Sequence, residues 1–442
     1  MARFYIETYG CEMNKSDSID IEVAFERKGY EPAEKPEDAD IVIINTCAVR
    51  HNAEERIQGR IGYYKSLKKR INKKQTLVVT GCMAQEWGKS LIERYENIDI
   101  VTGTYHTLDI PDLVLKYQYS GEKLVKIDKD SYEFSGFKGE RALDFSTWVN
   151  IIKGCSNFCS YCIIPYLRGP EQSKPHEEII DEVTRLVDNG VVEVTLLGQN
   201  VNAYGKDNGD ISFIELLEKL NMVEGLKWIR FLTSHPKDFD VEDIRRIASL
   251  DKVCKQFHLP MQSGSDRILS LMNRRYTIKD YLMLIDAIKK YNEKYSITTD
   301  ILVGFPDETE EDFQYTLDIV KKVEFDDAFM YRYSDRPLTK ASKMDNKVDK
   351  GIAKKRLEEL IAIQREISYK KNKMEIGDTI EALIYRKSKK NKDEYLCKTA
   401  TGKMVVVETK KPEGSFIEIL ISGISGNTLR GKEITIKAES RI

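Results

Sequence analysis

The sequence lacks the long apolar run that a membrane helix requires. None of its 442 residues falls in a stretch of the ~18 uninterrupted apolar residues that span a bilayer. Residues 1–7 contain no secretory hydrophobic region and already have the pattern of a strand. Net charge is also nearly absent, at −2, so any contact with nucleic acid must come from a local patch. We therefore expect a cytoplasmic protein of two or three domains that makes no membrane contact.

Cysteine is scarce, at eight residues, and a reducing compartment excludes disulfides as its main use. Metal binding or catalysis is then the better interpretation. Cys254 and Cys397 lie in predicted strands with no partner at metal-ligand spacing, so we expect both to be structural. The other six cysteines form two groups of three.

Strand and helix patterns divide the chain into four segments. Residues 1–118 alternate short β-branched runs with helical patterns, which indicates a parallel α/β sheet. Residues 119–146 are polar and punctuated by Gly and Ser, which is typical of a connecting segment. Residues 147–373 contain six strand–helix units and a charged helix, which favours an open, partial (β/α)6 barrel. Residues 374–442 contain five short predicted strands, the last at 433–437, which indicates a small OB-like β-barrel often used on nucleic acid.

The densest chemical signal is the loop that contains Cys155, Cys159 and Cys162. It follows a predicted barrel strand, where barrel active sites form. Soft thiolates select zinc, copper(I) or iron–sulfur clusters. Structural zinc needs a fourth ligand, but His176 and Cys254 are both distant in sequence. Three cysteines on a four-iron cluster leave one iron open, and this spacing favours S-adenosylmethionine as its ligand. A zinc loop or a group of buried thiols is the alternative.

The second group consists of Cys11, Cys47 and Cys82, which are 36 and 35 residues apart. Each follows the C-terminal end of a predicted strand in the same parallel sheet, and open α/β sheets bind ligands outside those ends. Their thiolates could converge on one point, which predicts a second cluster with an open iron. The alternative is three separate buried cysteines, since free cysteine is often part of a core.

Seven short segments carry motifs of one enzyme family. They are residues 8–14, 45–50, 81–85, 154–169, 196–205, 259–266 and 299–306. These motifs resemble those of the radical-SAM methylthiotransferases, and the C-terminal segment resembles the RNA-binding TRAM domain. Within that family the closest resemblance is to the branch that methylthiolates N6-isopentenyladenosine in tRNA. The resemblance covers nearly the whole chain and places all six grouped cysteines on family cluster positions.

The resemblance implies the cofactors, the reaction and the partners. The cofactors are two 4Fe-4S clusters, one on each cysteine group, and S-adenosylmethionine as both methyl donor and radical source. The implied reaction is methylthiolation of C2 of N6-isopentenyladenosine at position 37, beside the anticodon of tRNA. The implied partners are the tRNA anticodon stem-loop and a reducing electron donor such as flavodoxin or ferredoxin, and we expect a monomer. No catalytic residue is assigned beyond the cluster ligands.

The chain departs from the family pattern at two places. Glu12 stands where the tRNA enzyme usually has Gln. Residues 169–175 read GPEQSKP in place of a more arginine-rich run. Both departures bear on the substrate face, and neither touches a cluster ligand.

Four residues are expected to contact S-adenosylmethionine, because they belong to motifs at the catalytic end of the barrel. They are Gln199, Ser263, Ser265 and Gly304. A serine in residues 263–266 could instead cap the helix that begins near Arg267. Gly304 would allow the backbone to approach the adenine closely.

Five basic residues in the tail are expected to contact RNA, beside Tyr385 and Tyr395, whose rings could stack on unpaired bases. They are Arg386, Lys387, Lys389, Lys390 and Lys392. A second basic run, in residues 65–74, is interpreted as a solvated face.

Three other functions stay open. Within the enzyme class, the substrate could be threonylcarbamoyladenosine in tRNA or an aspartate of a ribosomal protein. From another class, the chain could be a tRNA-binding iron–sulfur redox sensor without turnover. Formation of 5′-deoxyadenosine by the reduced protein separates an enzyme from a sensor.

Overall fold

The computed structural model describes residues 1–48, 51–71, 73–129, 145–389, 391 and 393–434. These residues form a parallel α/β sheet, a partial (β/α) barrel and a small closed β-barrel, in chain order. The predicted fold class is therefore confirmed. Among the described residues, no helix has both the length and the apolar content of a bilayer span.

The N-terminal sheet is parallel, and helices cover both of its faces. Strands 41–46 and 76–81 are buried along their whole length, as expected for the centre of a parallel sheet. Its described strands, in sheet order β2-β1-β3-β4-β5-β6, are β1 (Arg3–Thr8), β2 (Glu31–Pro32), β3 (Ile41–Thr46), β4 (Thr76–Gly81), β5 (Ile100–Thr102) and β6 (Leu124–Lys126). Helices α1 (Glu12–Arg27) and α5 (Ile110–Ser120) pack on one face, and α2 (His51–Ile71), α3 (Cys82–Trp87) and α4 (Lys89–Arg94) pack on the other.

Two features of this unit differ from the sequence prediction. The interpretation of 119–146 as a connecting segment is wrong at β6, because Leu124–Lys126 pairs in parallel with β5. This strand has only three residues, none of them fully buried, so it is too short to show the alternation of apolar and polar residues that marks a strand. Residues 130–144 lie outside the described residues. The helical pattern after Cys82 reads as one helix in the sequence, but the structure has two, because Gly88 adopts a φ of +50° and ends the first.

The partial barrel follows, with its apolar core between the strands and the surrounding helices. Its strands are β7 (Ser146–Asn150), β8 (Ile152–Lys153), β9 (Gln172–Ser173), β10 (Glu193–Leu197), β11 (Trp228–Phe231), β12 (Gln256–His258), β13 (Ser296–Val303) and β14 (Asp327–Arg332). Its helices are α6 (Ile164–Arg168), α7 (His176–Asp188), α8 (Phe213–Asn221), α9 (Val241–Ala248), α10 (Asp266–Leu271), α11 (Ile278–Tyr291), α12 (Glu310–Val323) and α13 (Lys350–Met374). Short 3-10 turns lie at Val201–Ala203, Pro236–Asp238 and Ala341–Lys343.

The barrel strands run β7-β10-β11 and β12-β13-β14, all in parallel, and a bridge between Ile229 and Val253 joins the two sets. The sequence pattern predicts the first of these strands at 148–152, but the structure places it at Ser146–Asn150. It ends at Asn150, and Ile152–Lys153 instead pairs antiparallel with Gln172–Ser173. This short hairpin holds the loop that follows it.

The C-terminal unit is a closed barrel of the strands β15 (Thr379–Lys387), β16 (Glu394–Thr399), β17 (Met404–Glu408), β18 (Phe416–Ser425) and β19 (Thr428–Glu433) in the part of the chain described. The fifth strand is Thr428–Glu433, earlier than the predicted 433–437, of which residues 435–437 lie outside the described residues. Leu429 fills the barrel core, and Gly431 lets two strands approach. A Cβ at Gly431 would lie 2.1 Å from Ile419 Cγ2.

The C-terminal barrel covers the starts of the catalytic strands. Arg230 and Glu193 form a buried ion pair at 2.5 Å on the inside of the partial barrel. Arg230 also donates hydrogen bonds to the carbonyls of Thr399, at 2.7 Å, and Ala400, at 3.0 Å. Tyr385 donates its hydroxyl to Glu193. The end of the barrel opposite the cysteine loop is therefore closed by the C-terminal unit.

Candidate functional site: two facing cysteine groups

The first cysteine group lies on the loop that leaves β8. Gly154 opens this loop with a φ of +77°, and a Cβ there would lie 1.8 Å from the carbonyl oxygen of Pro170. Only glycine fits such a close approach. The Gly154 amide donates to Gln199 Oε1 at 2.6 Å, and the Cys155 amide donates to the carbonyl of Gly169 at 3.0 Å. The sequence prediction placed Gln199 on the cofactor, and the structure places it on the cysteine loop.

The three thiols of this loop affect one another electrostatically. Burial, together with the neighbouring Cys159, raises the pKa of Cys155 to about 11 and that of Cys162 to about 12. A thiol must lose its proton to become a metal ligand, so a bound cation would have to offset this cost.

Two nitrogen donors approach Cys159, and neither was identified from the sequence. Arg274 Nη1 lies 3.4 Å from Cys159 Sγ, and His235 Nε2 lies 4.0 Å from the same sulfur. The backbone amide of Lys237 donates to His235 Nδ1 at 3.2 Å, which leaves the ring proton on Nε2. Burial and the nearby Arg274 hold the pKa of His235 far below its ordinary value, so the ring is neutral.

The second cysteine group lies at the carboxyl edge of the N-terminal sheet. Cys11 is the residue before α1, Cys47 follows β3, and Cys82 is the first residue of α3. A Cβ at Gly10 would lie 2.9 Å from the Cβ of Cys47, so this glycine lets the Cys11 loop approach Cys47. The parallel topology thus brings together cysteines that are far apart in the sequence.

A pair of buried amides holds the Cys11 loop against β3. Cys11 Sγ donates to Asn14 Oδ1 at 3.4 Å, and Asn14 Nδ2 donates to Asn45 Oδ1 and to the carbonyl of Thr46, each at 3.1 Å. Asn45 Nδ2 returns a bond to the Asn14 carbonyl at 2.8 Å. Both asparagines are completely buried. They belong to the motifs at residues 8–14 and 45–50, and no pattern in the sequence predicts their contact.

Cys82 is buried, at 2% exposure. Burial raises its pKa to about 11, and Cys47 and Cys11 contribute in the same direction, while the positive charge of Arg168 opposes the shift. The electrostatic effect of all three thiols on one another shows that they share one region. Cys254 and Cys397 lie elsewhere in apolar clusters, which fits the structural role expected for them.

Both groups offer sulfur donors only. Within the described ranges, no three Cys, His, Asp or Glu side chains lie close enough to hold one metal ion. A four-iron cluster binds each thiolate at a different iron, so its ligands surround a larger volume than one ion occupies. The donors are sulfur alone, which is the set that iron–sulfur clusters use.

Helix α6 connects the two groups. It begins two residues after Cys162. The residue before it, Ile163, and its own Leu167 pack with Ala48 and Cys82 in one apolar cluster. At its last residue, Arg168 Nη2 donates to Asp17 Oδ2 at 2.6 Å in a buried ion pair. One short helix therefore links the two cysteine groups.

The other predicted cofactor contacts already have partners within the protein. Ser265 caps α10, accepts from the amide of Ile268 at 3.4 Å, and donates to Asp312 at 2.6 Å. This is the capping role that the sequence also allowed. Ser263 accepts from the Ser265 amide at 3.2 Å, and the Gly304 amide, at a φ of +73°, donates to Glu308 at 2.7 Å. Contact between these residues and S-adenosylmethionine stays a prediction.

The predicted RNA-binding residues lie at the end of β15 and in the loop after it. Arg386, Lys387 and Lys389 are exposed, while Lys390 and Lys392 lie outside the described residues. The ammonium of Lys387 lies 5.9 Å from the ring centre of Tyr395. The expectation that Tyr385 joins this surface is wrong, because its hydroxyl contacts Glu193 inside the partial barrel.

Two family models match the chain. The model of the uncharacterized protein family UPF0004 matches residues 3–103, which contain the second cysteine group, Cys11, Cys47 and Cys82. The model of the radical SAM superfamily matches residues 149–320, which contain the loop with Cys155. The two matches thus fall on the two units that carry the cysteine groups.

Relatives with assigned names match over almost the full length. A tRNA-2-methylthio-N(6)-dimethylallyladenosine synthase from Clostridium novyi is 41% identical over 98% of this chain and 96% of its own length. One with the same name from Thermoanaerobacter pseudethanolicus is 44% identical over 98% of this chain and 93% of its own length. Such identity over whole chains establishes a common family.

Solved structures share the fold at low sequence identity. The radical S-adenosylmethionine methyltransferase TsrM from Kitasatospora setae, with cobalamin and a [4Fe-4S] cluster bound, gives a TM-score of 0.56. It is 14% identical, and the match covers 77% of each chain. Apo OxsB, described as a cobalamin-dependent S-adenosylmethionine radical enzyme, gives a TM-score of 0.53 at 10% identity. The match covers 83% of this chain and 56% of that one.

Proposed function

This chain belongs to the family of the tRNA-2-methylthio-N(6)-dimethylallyladenosine synthases, and we propose that it adds a methylthio group to C2 of N6-isopentenyladenosine at position 37 of tRNA. The observation that carries the proposal is the pair of all-cysteine groups that helix α6 links. The substrate position carries an unactivated C–H bond, which acid–base side chains cannot open.

The six grouped cysteines are the proposed cluster ligands. When bound, the cluster on Cys155, Cys159 and Cys162 would supply the electron that cleaves S-adenosylmethionine, and the second would carry the sulfur. The chain's own contribution is to hold these sulfurs in place. Gln199 fixes the start of the barrel loop. Asn14 fixes the loop of the second group.

The remaining residues are proposed to bind and orient the substrates. S-adenosylmethionine would contact the loops that contain Gln199, Ser263, Ser265 and Gly304. The exposed Arg386, Lys387 and Lys389 would meet tRNA phosphates, together with Lys390 and Lys392. We further propose a low-potential electron donor such as flavodoxin or ferredoxin, a monomeric state and a cytoplasmic location.

The decisive experiment is mass spectrometry of tRNA nucleosides from a deletion strain and from the same strain complemented with this gene. The deletion should lose 2-methylthio-N6-isopentenyladenosine and accumulate N6-isopentenyladenosine, and the complement should restore the product. If the lost product is instead the methylthio derivative of threonylcarbamoyladenosine, the substrate assignment is wrong. A control strain complemented with the Cys159→Ala variant should still accumulate N6-isopentenyladenosine.

A second measurement separates the enzyme from a redox sensor. The reconstituted and reduced protein should convert S-adenosylmethionine to 5′-deoxyadenosine and should contain about eight iron atoms, the sum for two four-iron clusters. Absence of 5′-deoxyadenosine from protein that contains both clusters would favour the sensor.

A further inference from the structure

Each cysteine group has a buried arginine near one of its thiols. In the barrel group, Arg274 is 4% exposed and its Nη1 lies 3.4 Å from Cys159 Sγ. In the second group, Arg168 is 8% exposed, and its positive charge lowers the pKa of Cys82 against the effect of burial. One guanidinium group thus accompanies each proposed cluster.

The two arginines differ in how their positive charge is balanced. Arg168 pairs with Asp17 at 2.6 Å, and both side chains are buried. Arg274 makes its other bonds to neutral groups, donating to the Pro260 carbonyl at 2.9 Å and to the Tyr276 hydroxyl at 3.4 Å. Across the described residues, no carboxylate lies within ion-pair distance of Arg274. Its charge therefore faces Cys159 without a counter-charge.

An unbalanced positive charge beside a cluster favours the reduced form of that cluster. Reduction adds one negative charge, and a buried cation interacts with that charge more strongly than it would in water. Cluster potentials follow net charge, hydrogen bonds to the sulfurs and solvent exposure. His235 Nε2, 4.0 Å from the same sulfur, adds a second N–H donor. At the second cluster the carboxylate of Asp17 opposes the effect of Arg168.

We propose that Arg274 makes the barrel cluster the easier of the two to reduce, so that an electron delivered to the protein resides there. The donor loses one electron, the barrel cluster gains it, and no bond or proton changes in this step. Arg274 acts through Cys159: it is a positioning residue that places a positive charge beside this sulfur. The inference rests on the proposed function, since it requires both clusters to be present.

The test is a redox titration of the reconstituted full-length protein, with each cluster followed by electron paramagnetic resonance. Cys47→Ala and Cys159→Ala proteins, each with one cluster, assign the two signals. In the wild type the barrel signal should be reduced first, and the reverse order would overturn the inference. In Arg274→Gln the equilibrium constant for reducing the barrel cluster should fall at least tenfold, a shift of about 59 mV for one electron.

The matched control is Arg275→Gln, which removes an exposed charge from the next residue, where water screens it. Its effect should stay below about threefold, since surface charges near the cluster are largely screened. An unchanged constant in Arg274→Gln would refute the proposal. If that variant fails to load the barrel cluster, Arg274→Lys keeps the charge and should stay near the wild-type constant. A tenfold fall in Arg274→Lys would show that charge is not the cause.

A second arm tests the balancing role of Asp17. Asp17→Asn keeps a hydrogen-bond acceptor for Arg168 but removes the negative charge, so the second cluster should become at least tenfold easier to reduce. No change there would contradict the charge argument. An iron content near four in the wild type would instead overturn the proposed function. An unchanged constant with eight irons present would overturn only this inference.

Discussion

Replacing Leu383 with alanine should destabilise the catalytic barrel, although Leu383 belongs to the C-terminal barrel. On β15, Ala382 and Ile384 point into the core of the small barrel. Leu383 points the other way and packs, fully buried, against Trp228 and Cys254 of the catalytic unit. The substitution therefore leaves the small barrel's own core intact and removes a contact between the two units.

The expected magnitude follows from the burial of this side chain. A buried Leu→Ala substitution costs about 2–5 kcal/mol, depending on how far the site can collapse. For a unit of 150–250 residues, each kcal/mol lowers the melting temperature by about 2–4 °C. We therefore expect a decrease of roughly 5–15 °C in the transition of the catalytic barrel.

Differential scanning calorimetry of the anaerobically purified protein measures this transition directly. Leu420→Ala is the matched control, because Leu420 lies on β18 of the same small barrel and is 39% exposed. Its effect should stay within about 0.5 kcal/mol. If Leu383→Ala melts like Leu420→Ala, the small barrel is only tethered to the catalytic unit. Its role in closing the barrel at Arg230 would then be refuted.

Three further predictions concern the proposed clusters and the RNA surface. Cys159→Ala should lose the barrel cluster and 5′-deoxyadenosine formation. Cys47→Ala should keep both and lose methylthiolation. Iron analysis and product assays measure these losses, and methylthiolated product from Cys47→Ala would refute the sulfur-carrying role. Gly154→Ala should lower the iron content by about four, the content of one cluster, because a Cβ meets the Pro170 carbonyl at 1.8 Å; full iron loading would contradict the loop geometry. Arg386→Gln and Lys387→Gln should each reduce the log–log salt dependence of tRNA binding by roughly one unit, and an unchanged slope in a salt titration would remove this surface from the RNA contact.

The sequence predicted the cysteine groups because each lies where a strand ends. Cys11, Cys47 and Cys82 follow strands of one parallel sheet, and that topology alone brings the ends of such strands to one edge. The prediction needed only strand patterns and the direction of the sheet. The same logic located the barrel loop, since barrel sites lie at the carboxyl ends of strands.

The residues that surround the thiols could not be predicted in this way. Arg274 and His235 lie 115 and 76 residues from Cys159, and neither belongs to a local pattern that points to a sulfur. The two arginines differ in charge balance, and only the structure shows it. Arg168 pairs with a carboxylate, whereas Arg274 has no carboxylate partner among the described residues. The misplaced fifth strand has a different cause, because Gly431 interrupts the apolar alternation that marks a strand in sequence.

Helix α6 imposes a length constraint on the chain between the two cysteine groups. Cys162 and Arg168 are six positions apart, and Leu167, on the same short helix, packs with Cys82. An α-helix turns by about 100° per residue, so one inserted or deleted residue would rotate Arg168 away from both Cys82 and Asp17. Residues 163–167 should therefore accept apolar substitutions but no change in number. The number of residues in this interval, more than their identity, sets the geometry between the two halves of the site.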